Sequence, residues 1–182
     1  GPVHLLKNGG EQKSSEHTFR NPLAQVPTLE HDGKFISQSL AILMYLDDIK
    51  ESPRLFSKDP YIRAKMFEAC EIINSGIQPL HNLSVTAELE NQLNATKEQK
   101  EVWTKYWIEK GLEAFDKTIP GGTYCMGHTV SAVDACLIPQ LFSSRRFAAD
   151  LSKFPRLLEI ERTCLRLEAF QLADPARQID AE

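Results

Sequence analysis

Gln25-Val26-Pro27-Thr28-Leu29, then Asp32-Gly33, then Gln38-Ser39 running into Leu40-Ala41-Ile42-Leu43-Met44-Tyr45-Leu46, is the stretch on which the fold turns. An apolar segment reaches Pro27, Asp32-Gly33 marks a turn, a second short strand follows, and a helix opens at Gln38 and Ser39. Proline donates nothing to a ladder, so a Val-Pro pair belongs at a sheet edge or in a special turn. X-Pro is also the bond at which a cis peptide costs little, about 0.5–1 kcal/mol. A cis Pro27 would leave the Val26 N–H and C=O free to pair with an extended ligand. Polar residues at a helix N-terminus favour an anion. The block therefore predicts a site for a small extended peptide with a charged end, built on Gln25, Val26, Pro27, Gln38 and Ser39. The plainer alternatives are a trans proline closing an edge strand and, for Ser39, an ordinary helix cap.

Outward from this block the chain reads as α/β followed by all-α. Residues 3–6, 26–29 and 34–36 are expected as short strands, with a short helix or turn over 14–20. A helix over 37–49 carries Leu40, Leu43, Met44 and Leu46 at helical spacing. Residues 51–59 break the pattern and are expected as a linker between a domain of residues 1–50 and an all-helical domain of residues 60–182. Pro60 suits a first helical position. Met66, Phe67, Cys70, Ile73 and Ile77 mark one apolar stripe, and Pro79 should interrupt the helix that carries it. Residues 88–100 read as a polar connection. Val102, Trp103, Tyr106, Trp107 and Phe115 mark the next helix. Ser131 and Asp134 have the spacing of a capping box ahead of a mostly apolar helix over 132–147, and a last helix is expected over 155–168.

Composition narrows the function. At 182 residues, with 42% hydrophobic and 25% charged residues, the chain has the content of an ordinary globular protein with one sizeable core or two small ones. A net charge of −4 gives no reason to propose nucleic acid, which favours a basic face. No run approaches the roughly 18 apolar residues of a membrane span. Cys70, Cys125, Cys136 and Cys164 are too far apart for a CxxC redox or zinc pattern, so no metal ligand is expected. Reduced core cysteines in a cytoplasmic protein are the simpler reading.

Several further segments carry a resemblance. Pro2-Val3-His4-Leu5-Leu6-Lys7-Asn8-Gly9-Gly10-Glu11-Gln12, Asn21-Pro22, Gln25-Val26-Pro27-Thr28-Leu29, Ile77-Gln78-Pro79-Leu80, Asp134-Ala135-Cys136-Leu137-Ile138-Pro139-Gln140, Arg146-Phe147 and Leu167-Glu168-Ala169-Phe170-Gln171 are similar to the zeta-class glutathione transferases, the maleylacetoacetate isomerases. The similarity runs through almost the whole chain in the family's order. It implies a thioredoxin-like N-terminal domain, a helical C-terminal domain, a homodimer, and glutathione as cofactor with a small acidic substrate. The implied reaction is glutathione-dependent isomerisation of maleylacetoacetate in phenylalanine and tyrosine breakdown, with transfer to small α-halo acids beside it. By the same resemblance Val26 pairs its backbone with the cysteinyl unit of glutathione, and Gln38 and Ser39 hold its γ-glutamyl carboxylate. For Gln25 a contact to the glycyl end and a plain surface position are both open readings, and Arg146 by the resemblance anchors the acid substrate through its planar fork. His81 stands where the family often has glutamine; a substrate contact and a capped surface histidine are both open readings.

The sequence departs from the family in one respect. The family opens with a strand and a Ser-Ser-Cys-Ser-type motif that activates the glutathione thiol, and nothing here matches it. The resemblance thus implies a truncated thioredoxin-like domain and assigns no catalytic residue. The alternative function is an inactive variant acting as a dimerisation or interaction protein.

Overall fold

The computed structural model describes residues 2–50 and 52–179. The chain divides into two compact units, Gly1–Pro53 with Leu172–Glu182, and Arg54–Gln171.

In the first unit, helix α1 spans Ser15–Arg20 and is capped by Ser14, whose hydroxyl accepts the His17 N–H at 3.2 Å. Strands β1 (Thr28–His31) and β2 (Lys34–Ser37) pair antiparallel, with Thr28 opposite Ser37 and His31 opposite Lys34. Asp32 and Gly33 both take positive φ, 50° and 71°, as a two-residue hairpin turn matching strand twist requires. Helix α2 follows at Ser39–Ile49.

Two expectations fail here. Residues 3–6 form no strand, because the only sheet among the described residues is β1–β2 and a strand needs a neighbour for its backbone groups. Local bonds hold this segment instead: the His4 N–H donates to Glu11 Oε2 at 2.9 Å, and Gln12 Nε2 donates to the Leu5 carbonyl at 3.3 Å. The apolar stripe of α2 is also only partly covered. Met44 and Leu46 are exposed while Asp47 is buried, since a two-stranded sheet offers little surface to pack on.

The second unit is helical. Helix α3 (Pro60–Asn74) opens with Asp59 capping the Ile62 N–H at 2.9 Å and packs on α5 and α6. After it come a 3₁₀ turn at Gln78–His81, α4 (Leu83–Leu93), α5 (Lys97–Thr118), α6 (Ala132–Arg146), α7 (Pro155–Cys164) and α8 (Glu168–Leu172). Pro79 lies in the 3₁₀ turn, so the interruption is complete rather than a kink.

Most of the expected polar connection 88–100 is helix. Asn82 caps α4, Asn94 closes it in the left-handed region, and Thr96 with Gln99 forms a capping box for α5. The stripe of α5 is rotated from the expected one: Thr104, Ile108, Leu112 and Phe115 are buried, whereas Val102 and Tyr106 are exposed. Gly111 explains the phase, because a Cβ there would lie 2.2 Å from Ile77 Cγ1. The helix expected over 155–168 is broken at 165–167. Among the described residues no helix is long and apolar enough to cross a membrane.

Candidate functional site

The Val26–Pro27 peptide is cis. Two nearly buried side chains hold the loop before it. His17 Nε2 lies 2.8 Å from the Gln25 carbonyl oxygen, and Asn21 Nδ2 donates to the same oxygen at 2.8 Å and contacts Thr28 Oγ1 at 3.3 Å. A carbonyl only accepts, so the His17 ring carries its proton on Nε2. Asn21 Oδ1 also accepts the Leu23 N–H at 3.2 Å, so one amide ties the loop together across both ends. Val26 is 44% exposed, and its backbone N–H and C=O have no hydrogen-bond partner among the described residues.

Gln38 is the residue before α2, with φ 74° and ψ 122°, and its side chain makes no capping bond. A non-glycine residue in such a region costs about 1–3 kcal/mol and persists where its surroundings dictate it. Ser39 is the first helical residue, so it is not the cap of α2. The first turn of α2 therefore presents backbone N–H groups without a side-chain partner, an arrangement suited to a carboxylate.

The second unit carries Arg146 and His81. Arg146 ends α6, is exposed, and its side chain has no ion pair or hydrogen bond among the described residues. Its neighbour Arg145 is engaged: Nη1 donates to Glu161 Oε1 at 2.6 Å, with a second bond from Nη2 to Oε2. Those bonds raise the Arg145 pKa above its ordinary value. His81 packs its ring on Phe147, centroids 5.1 Å apart, and its Nε2 is buried. Burial lowers the His81 pKa, with an opposing contribution from Gln140.

The cysteines are all free and buried. Burial and the neighbouring Asp134 carboxylate push the Cys125 thiol up, and push Cys164 up to about 12. Neither is a nucleophile at neutral pH. Asp134 itself accepts the Cys125 N–H at 2.8 Å and the Ser131 N–H at 2.9 Å, which makes it a folding residue. Among the described residues no group of histidine, cysteine and acidic side chains is placed to hold a metal ion.

The model of the glutathione S-transferase N-terminal domain matches residues 3–48. Maleylacetoacetate isomerase of Rattus norvegicus is 43% identical over 183 residues, covering 98% of this chain and 81% of its own. This chain belongs to the zeta-class glutathione transferases, the maleylacetoacetate isomerase family. Among solved structures, the holo form of a bacterial zeta-class maleylpyruvate isomerase superposes with a TM-score of 0.93 at 30% identity, covering 99% of this chain and 86% of that one. Maleylacetoacetate isomerase of Methylobacterium extorquens AM1, solved with bound malonate and glutathione, gives 0.88 at 28% identity, covering 94% and 82%. The zeta-class fold is thus a small thioredoxin-like sheet unit joined to a helical unit, as expected.

Sequence reasoning assigned no role to His17 or Asn21, the two residues that hold the cis-peptide loop. Asn21-Pro22 was visible as a family segment, but a side chain that braces a loop follows no periodic pattern.

Proposed function

We propose that this chain binds glutathione along Val26 and Pro27 and at the opening of α2, and acts on a small carboxylic acid held by Arg146. The observation that carries the reading is the partnerless Val26 backbone on the same unit as an uncapped α2 N-terminus. In this reading Val26 N–H and C=O pair with the cysteinyl unit, and Gln38 and Ser39 hold the γ-glutamyl carboxylate. Gln25 flanks the glycyl end. Bound glutathione supplies a thiol nucleophile for cis–trans isomerisation of an activated double bond. Arg146 offers its unengaged guanidinium to the substrate carboxylate, with His81 and Phe147 beside it in the helical unit.

The substrate read from the family is maleylacetoacetate, converted to fumarylacetoacetate in phenylalanine and tyrosine breakdown, with small α-halo acids as transfer substrates. The setting we propose is a cytoplasmic homodimer, with residues 1–50 as the glutathione-binding domain, 51–59 as linker and 60–182 as the helical domain. The relative solved with bound malonate and glutathione supports both ligand classes, a small dicarboxylate and the tripeptide.

Titration of the chain with glutathione and with malonate tests the reading. A charge-assisted hydrogen bond contributes about 1.5–3 kcal/mol, or roughly 10–100-fold in affinity. Ser39→Ala should weaken glutathione, and Arg146→Ala should weaken malonate while leaving glutathione unchanged. A wild-type chain that binds no glutathione would defeat the proposal.

A further inference from the structure

Helix α6 is largely enclosed: nine of its 15 residues are buried. The exposed positions are Pro139, Phe142, Arg145 and Arg146. At 3.6 residues per turn, positions 139, 142 and 146 fall within about 60° of one another around the axis. Arg145 lies about 60° to the other side of Phe142, where Nη1 donates to Glu161 of α7 at 2.6 Å. The helix therefore keeps one open stripe, running from Pro139 through Phe142 to Arg146. Phe142 is 44% exposed on it, although phenylalanine is among the residue types most often buried.

Helix geometry makes Phe142 and Arg146 neighbours. Residues four apart have Cβ atoms about 5–6 Å from each other, and a long helical side chain leans back over the turn before it. Neither group is engaged elsewhere. The Arg146 side chain has no ion pair or hydrogen bond among the described residues. Among the same residues the Phe142 ring meets no other aromatic ring and no cation. The stripe thus offers an apolar ring next to an unpaired planar cation. An acid whose carboxylate is attached to a flat, unsaturated body complements both. The guanidinium fork takes the carboxylate, and the face of the ring takes the planar framework.

We propose that Phe142 is a specificity-determining residue of the acid site: its exposed ring, one turn before Arg146 on the open stripe of α6, is the surface on which the unsaturated body of the acid lies. Arg146 reads the charge and Phe142 reads the flatness. The inference rests on the reading of Arg146 as the acid anchor, and deepens it by naming the residue that separates planar from saturated acids of equal charge.

The experiment uses two diacids of equal length and charge, trans,trans-muconate, which is conjugated and planar, and adipate, which is saturated and flexible. Their affinities, with those of malonate and glutathione, are measured separately by titration calorimetry. The proteins are the wild type, Arg146→Ala, Phe142→Ala, Phe142→Leu and Phe142→Tyr. The wild type should prefer muconate. Phe142→Ala should reduce the muconate-to-adipate preference by about 2–10-fold, leaving malonate and glutathione unchanged. Phe142→Leu keeps an apolar side chain without the flat face and should lose the preference as well, which preserves the test if the alanine variant fails to fold. Phe142→Tyr keeps the ring and should keep the preference. A wild-type preference in both Phe142→Ala and Phe142→Leu, with Arg146→Ala impaired for all three acids, overturns the role of Phe142 and leaves the anchor standing. A preference lost in Phe142→Tyr overturns it as well, since the ring is still there. Unchanged affinity of Arg146→Ala for all three acids removes the anchor, and the role of Phe142 falls with it.

Discussion

His17 reaches eight residues along the chain to place its Nε2 2.8 Å from the Gln25 carbonyl oxygen, and so fixes the residue that leads into the cis Val26–Pro27 bond. Asn21 donates to the same oxygen, so the loop is held by two side chains that make no contact through Val26 itself. Replacing His17 by phenylalanine keeps a ring but removes the donor. The remaining bond from Asn21 should keep the loop near its place at reduced stability. Loss of one such bond costs about 1–3 kcal/mol when a buried group is left unpaired. The expected outcome is a lower melting temperature of the first unit and weaker glutathione binding, both larger for the His17→Phe, Asn21→Ala double variant. Unchanged glutathione affinity in the double variant would show that the loop needs neither brace.

Asp134 is the corresponding brace of the helical unit. One carboxylate oxygen accepts the Cys125 N–H, and the other takes both the N–H and the hydroxyl of Ser131. Asp134→Ala leaves two buried backbone donors without partners, at about 1–3 kcal/mol each. Ser131→Ala removes only a cap, worth about 1 kcal/mol. Denaturant unfolding should therefore rank Asp134→Ala well below Ser131→Ala in stability, with glutathione binding by the first unit preserved in both. Equal losses would mean that the bond to the Cys125 loop contributes nothing.

The parts of the molecule that were legible in the sequence share a cause: short, local chemistry decides them. The Asp32-Gly33 turn, the Asp59-Pro60 helix start and the Ser131/Asp134 box each depend on residues within a few positions of one another. The misread parts depend on distant neighbours. Val3-His4-Leu5-Leu6 has the apolar content of a strand, but a strand exists only beside another. Residues 88–100 read as a connection because they are mostly polar, while the caps at Asn82, Asn94 and Thr96 that bound the two helices there are single residues. The phase of α5 is set by Gly111 meeting Ile77, a contact across 34 positions that no periodicity in 97–118 reveals. In the sequence His81 fits a substrate contact and a capped surface histidine alike, because the sequence gives no view of which nitrogen is enclosed.

That enclosure makes His81 a source of pH-dependent stability. Burial lowers its pKa below the ordinary value of 6.5, because a charged ring is disfavoured where water is excluded. As pH falls through the unfolded value near 6.5, the unfolded chain takes up a proton that the folded ring resists. Stability rises with pH wherever the unfolded state binds more protons. The contribution of His81 is thus fully present above about pH 7 and declines between the unfolded pKa and the lower folded one. His81→Gln has no proton to gain and should flatten this part of the curve. Melting temperatures of the wild type and the variant, measured from pH 7.5 to 5, should therefore converge or cross as the pH drops. Parallel curves across that range would mean the ring titrates alike in the folded and unfolded chain, and its nitrogen would then have to be open to solvent.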